Sequence, residues 1–181
     1  MTRIFLDATT LIALGTIGEL EHLTSFAGNL VVLPAVENEV TTEPAQTNSG
    51  RFIEQYGVET TDPVVDDYLQ HAKKVLGEEE KNGDVYLIGA VLGYTAADLS
   101  VGIVSDDRRV RTTARGLGAV ATGTVGVVVR AVEGGLDREE AYELVDRIDS
   151  HGLHMTGSLR EKAYSLIDDA AESTSTESET H

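Results

Sequence analysis

The chain contains no cysteine and no tryptophan, only three prolines, and lysine at just four of its 181 positions (73, 74, 81 and 162). Without cysteine, disulfides, zinc–thiolate sites and a thiol nucleophile are all excluded. No apolar run approaches the roughly 20 residues a membrane helix needs. The earliest run is broken by Asp7 and has no secretory-leader layout, so a soluble cytoplasmic protein is the expectation. Positive charge is also scarce: Lys and Arg total 14 against 31 Asp and Glu, a net charge of −17. Proteins that bind polyanions usually carry a basic footprint, and on that reading the balance points away from nucleic acid. A second reading is a surface built for high salt, where acidic groups keep a protein hydrated and dispersed. At about 1 M salt the Debye length is only about 3 Å, so surface repulsion ends near contact. The lack of lysine fits this halophilic reading better than a generic acidic protein.

What is present suits a single globular domain. Hydrophobic residues make up 41% and charged residues 25%, and the length is enough for a sizeable core. Arg3–Leu6, Asn29–Leu33 and Val101–Val104 read as short buried strands, with a fourth at Ala119-Val120. Helices are expected from about Thr9 to Gly15, from Ile17 through Ala27, and from Pro34 through Glu39. Further helices should run from Pro63, capped by Asp62, to about Leu76, and from Asp84 through Ala97. Residues 41–50 read as a turn-rich connection, followed by a short amphipathic piece at Phe52–Tyr56 and a brief strand near Val58. Asp106 to Gly118 predicts an amphipathic helix, and three more helices should follow Gly123. Alternating strands and helices imply an α/β fold with a central parallel sheet. The folded body is expected over 1–168, with an acidic, Ser/Thr-rich tail over 169–181 too poor in apolar residues to order.

Acids stand at telling places. Asp7 directly follows the first strand, and Asp106 and Asp107 follow the third. Carboxylates at the carboxyl ends of parallel strands collect at the crevice of an open α/β sheet. A buried, unpaired carboxylate is costly, so Asp7 calls for a functional explanation. Converging carboxylates need cations between them, and hard oxygen ligands suit Mg²⁺ or Mn²⁺. Glu39 alone reads as an exposed helix residue, and Asp84 as an acid favoured at a helix N-terminus. Either Asp106 or Asp107 could cap the following helix. Arg108, Arg111 and Arg115 share one helical face by i, i+3, i+7 spacing and could meet phosphates or pair with surface acids. His151 and His154 read as surface residues at a helix end. Gly116-x-Gly118 and Gly123-x-x-Gly126 complete neither a dinucleotide nor a P-loop pattern.

Taken in order, four motifs resemble those of PIN-domain ribonucleases, in particular the branch of VapC-like toxins. They are Asp7-Ala8-Thr9-Thr10 after the first strand; Pro34, Val36 and Glu39; Asp84 opening a small-residue helix; and Ser105-Asp106-Asp107-Arg108 after the third strand. The segment after the last strand, opening on Gly123-Thr124, resembles an uncharacterised PIN subgroup. The resemblance implies a PIN-like three-layer α/β/α sandwich with additional C-terminal helices. It implies a divalent-metal-dependent endoribonuclease that hydrolyses single-stranded RNA, with Asp7, Glu39, Asp84 and Asp106 or Asp107 as the acidic set. Of the last pair, the Thr-x-Asp pattern favours Asp107, whereas Asp106 ends the strand directly. Thr9 and Ser105 would orient the carboxylates, and Arg108, Arg111 and Arg115 would touch RNA phosphates. The same resemblance implies a homodimer and, for a toxin, an antitoxin protein that inserts near the crevice. A catalytically inactive PIN-like nucleic-acid- or protein-binding module is the alternative. A dehalogenase-type phosphatase signature is excluded, because Thr9 stands where its second aspartate is required.

Overall fold

Arg3–Leu6 (β1) and Val101–Val104 (β3) pair side by side at the centre of a four-stranded parallel sheet. Burial on both faces explains why these strands read as unbroken apolar runs rather than as alternating patterns. Asn29–Val31 (β2) pairs with the outer side of β1, and Val120–Thr122 (β4) with the outer side of β3. The order is therefore β2-β1-β3-β4. The computed structural model describes residues 1–178. It shows a three-layer α/β/α sandwich, with the expected extra helices after the last strand.

Helix α1 (Ala8–Thr16) leaves β1 at once, capped by Asp7. The expected helix after Ile17 is instead a 3₁₀ segment, Leu20–Ser25. Gly18 takes a left-handed φ of 71° and interrupts the chain there, and three residues per turn place both Leu20 and Leu23 in the core. Helix α2 (Pro34–Glu37) is a single turn, so Glu39 lies just past the helix expected to carry it. The turn-rich connection expected at 41–50 is largely replaced by α3 (Ala45–Tyr56). Its polar sequence hides a buried stripe of Ala45, Ser49 and Phe52, and Asn48 Nδ2 donates to the Gly15 carbonyl at 2.8 Å. Packing against α1 here overrides local propensity. In place of the brief strand near Val58, one parallel bridge joins Val31 to Glu59.

Asp62 caps α4 (Pro63–Asp66) as expected, but the helix is interrupted before resuming as α5 (Leu69–Leu76). Helix α6 (Gly83–Ala96) is buried nearly all round and packs on α4, α5 and β3. Helix α7 (Arg108–Gly116) follows β3, with Asp107 as its cap. Beyond β4 come α8 (Thr124–Glu133), α9 (Arg138–Arg147), a π-helical turn at Ile148–Gly152 and α10 (Gly157–Ser178). Helix α10 continues through 169–178, where composition implies disorder; residues 179–181 lie outside the described part. Its earlier residues Ala163, Ile167 and Ala170 are buried in the core, and this anchored stretch carries the polar turns onward.

Candidate metal centre

The connections leave β1 toward β2 and leave β3 toward β4, so the strand order reverses between β1 and β3. Open α/β sheets form their ligand crevice at such a switch point, beyond the strands' carboxyl ends. Asp7 and the Ser105-Asp106-Asp107 segment stand directly there. Asp7 N donates to the Val104 carbonyl at 2.9 Å, and Ser105 N to the Thr122 carbonyl at 2.8 Å, extending the ladder into the site.

Asp7 is only 2% exposed. Its Oδ1 accepts from Ala8 N at 2.7 Å; its Oδ2 accepts from Ser105 Oγ at 2.5 Å and Thr9 Oγ1 at 3.0 Å. Burial raises the carboxyl above its ordinary value, against the pull of those hydrogen bonds, and the Glu39 charge adds to the rise. Asp84 sits in the first turn of α6. Burial raises it too, then the charges of Asp7 and Asp107, with Arg109 acting in the opposite direction. Glu39 reaches the same place from past α2: its Oε1 accepts from Gly83 N at 2.7 Å. A side chain at Gly83 would put a Cβ within 2.7 Å of Glu39 Oε2. A larger residue there would push the Glu39 carboxylate aside from its present place at the start of α6.

The two adjacent aspartates face different tasks. Asp106 Oδ1 accepts from Thr124 N at 2.8 Å; its Oδ2 accepts from Thr124 Oγ1 at 2.5 Å and from Thr10 Oγ1 at 3.4 Å. Both its oxygens thus latch β3 to the start of α8, and a Cβ at Gly123 would stand 2.7 Å from Oδ1. Asp107 caps α7 by accepting from Val110 N at 3.1 Å, and its charge acts on Asp84. Ser105 Oγ accepts from Asp107 N at 3.1 Å while donating to Asp7, and Thr9 Oγ1 accepts from Asp106 N at 3.0 Å. Thr9 and Ser105 therefore join the two strand ends.

The arginines separate in the same way. Arg111 Nη1 donates to the Ser105 carbonyl at 2.9 Å, and Arg115 Nη2 to the Ala121 carbonyl at 2.7 Å, so both brace the strand ends. Arg108 is exposed. Arg109, which the helical-face argument passes over, pairs with Glu78 at 2.6 Å and with Asp84 at 3.4 Å. Thr10 and Thr124 stand in the sequence motifs, but their bonds to Asp106, like those of Arg109 to Glu78 and Asp84, exist only because the fold brings these segments together. Among the described residues, Glu19, Glu21 and His22 are a set whose potential ligand atoms all lie within 4.8 Å of one another. Glu19 there already pairs with His22 at 3.0 Å and Arg147 at 2.6 Å, so the group is explained as surface ion pairing.

The sequence profile of the PIN-domain family matches residues 3–169. The chain belongs to the PIN-domain family. No curated protein and no solved structure matches it. PIN domains are generally nucleases, typically metal-dependent, and their substrates are nucleic acids. The crevice of this PIN domain fits a hard divalent cation. The carboxylates around it come from several elements and are hard oxygen donors; two are raised by burial and by the charges of other acids, a cost a bound cation would relieve. No helix among the described residues is long and apolar enough to cross a membrane.

Proposed function

We propose that this PIN domain is a Mg²⁺- or Mn²⁺-dependent endoribonuclease that hydrolyses phosphodiester bonds in single-stranded RNA. The observation that carries the reading is Asp7, buried and triply hydrogen-bonded at the switch point, with the charges of Glu39 and Asp84 acting at the same crevice. Asp7, Asp84 and Asp107 would hold the metal, and Glu39 would complete the set from the start of α6. Asp106, engaged at both oxygens by Thr124, serves the site by holding the β3 end in place. Once bound, a divalent ion supplies a water of lowered pKa and neutralises charge on the departing oxygen. Ser105 and Thr9 keep the Asp7 carboxylate aimed, and their hydrogen bonds oppose the upward push of burial. Arg108, exposed at the start of α7, is the member of its trio free for an RNA phosphate, while Arg111 and Arg115 spend donors on backbone carbonyls. No protein nucleophile is required.

A toxin role in a toxin–antitoxin pair, a homodimer and a high-salt cytoplasm belong to the same proposal and rest on family resemblance and net charge. The test is cleavage of a mixed-sequence single-stranded RNA in about 1 M KCl, where surface repulsion is screened. Cleavage with Mg²⁺ or Mn²⁺ that vanishes in EDTA and in Asp7→Asn is expected. Neither cleavage nor Mn²⁺ binding would reject the nuclease and favour a binding module. Rescue of toxic expression by a co-expressed neighbouring small protein checks the toxin role.

A further inference from the structure

Arg109 is the one cationic side chain bonded to a crevice acid among the described residues. Its guanidinium is held from two sides. Glu78 Oε1 takes Nη2 at 2.6 Å and the Leu76 carbonyl takes Nη1 at 3.4 Å, while Asp84 Oδ2 receives the same Nη2 at 3.4 Å. Leu76 ends α5 and Glu78 lies in the stretch between α5 and α6, both outside the acidic set. The contact to Asp84 is the longer of the two ion pairs, and half of the arginine side chain is exposed. A guanidinium so placed can leave Asp84 without losing its stronger partner.

The geometry points to Arg109 as a built-in competitor for the divalent ion. It neutralises Asp84 when no metal is bound and withdraws onto Glu78 and the Leu76 carbonyl when a cation takes that carboxylate. This inference rests on the metal-dependent reading above. A metal ion drawn to Asp84 Oδ2 meets the guanidinium already there, and the two positive groups repel each other across that carboxylate, so they compete for it. Glu78 then sets the strength of the competition: the more firmly it holds Nη2, the more readily Asp84 is released. The competition is local, because in molar salt charges beyond a few ångströms are screened. It also gives Arg109 a task that differs from that of Arg108, its exposed neighbour in the sequence.

The test is calorimetric titration of Mn²⁺ into the full chain in about 1 M KCl, on wild type and on Arg109→Gln, Glu78→Gln, the double variant and Arg108→Gln. Asp7→Asn identifies the crevice signal by abolishing it. Arg109→Gln is expected to tighten Mn²⁺ binding about three- to fivefold, the scale of one exposed ion pair. Glu78→Gln should weaken binding by a similar factor, the double variant should match Arg109→Gln, and Arg108→Gln should match wild type. A merely supporting role for Arg109 would give weaker binding in Arg109→Gln, and that result, or no change, overturns the inference. So does an Arg108→Gln effect as large as that of Arg109→Gln, which would mean general charge, or a Glu78→Gln effect that persists without Arg109. Absence of Asp7-dependent Mn²⁺ binding in wild type would overturn the metal reading itself, a result distinct from all of these.

Discussion

Ser105 is fully buried and serves both acidic strands, donating to Asp7 Oδ2 and accepting from Asp107 N. Ser105→Ala removes both contacts with little change in volume. Groups that orient metal-binding carboxylates are worth about 10- to 100-fold, so Mn²⁺ affinity by calorimetry should fall by that factor while the fold persists by circular dichroism. Tyr94 makes a second prediction at this scale. It is buried and donates to Asp62 Oδ2 at 2.6 Å; burial, then the bond to Asp62, push its hydroxyl up to about 12 from 10.0. The folded state therefore keeps this proton where the unfolded chain loses it. Its contribution to stability is complete below about pH 10 and is lost as pH rises through about 12. Alkaline unfolding followed by tyrosinate absorbance should show this decline in wild type, and Tyr94→Phe should flatten it. Asp7 stood out in the sequence because a carboxylate directly after an apolar strand is costly to bury, although the structure also gives it the cap of α1. The division of labour between Asp106 and Asp107 was not legible, because it depends on Thr124, 18 residues away from Asp106.

At the scale of elements, the Gly123-Thr124 pair shows how a short motif couples β4, α8 and the crevice. Thr124 is fully buried, and its backbone N–H and hydroxyl both serve Asp106. Thr124→Val keeps shape but strips the hydroxyl. It should cost about 1.5–3 kcal/mol, the usual worth of a hydrogen bond to a charged group. Urea unfolding checks it: the midpoint should fall with an unchanged slope. Helix α7 carries the opposite lesson. Helical spacing grouped Arg108, Arg111 and Arg115, yet Arg109, off that face, is the residue that reaches Asp84. Periodicity identifies which residues share a face but not what that face meets. Helix α3 was missed over its first turns for a related reason, since its buried stripe forms only against α1.

For the molecule as a whole, the net charge of −17 opposes compaction and opposes RNA equally. If the surface is built for high salt, raising KCl from about 0.1 to about 1 M shortens the Debye length from about 10 to about 3 Å and should raise the thermal midpoint steadily. A midpoint that does not move would leave the acidity without that explanation. The charge is also compatible with a site that concentrates divalent cations, since a field of one sign raises the local level of its counter-ions.

Alone, the sequence determined the parallel α/β sheet, its buried first and third strands, the PIN resemblance and the acids that follow those strands. Each of these is a local signal: an apolar run, the residue that ends it, or motifs kept in order along the chain. The tertiary structure decided which neighbour of each acid matters. It placed Glu39 on Gly83 N, assigned Asp106 to Thr124, turned Arg111 and Arg115 to backbone carbonyls, and brought Arg109 to Asp84 beside Glu78. Charge and hydrogen bonding act across a few ångströms of space, whereas sequence patterns report distance along the chain. Only the folded crossovers between strands convert one into the other.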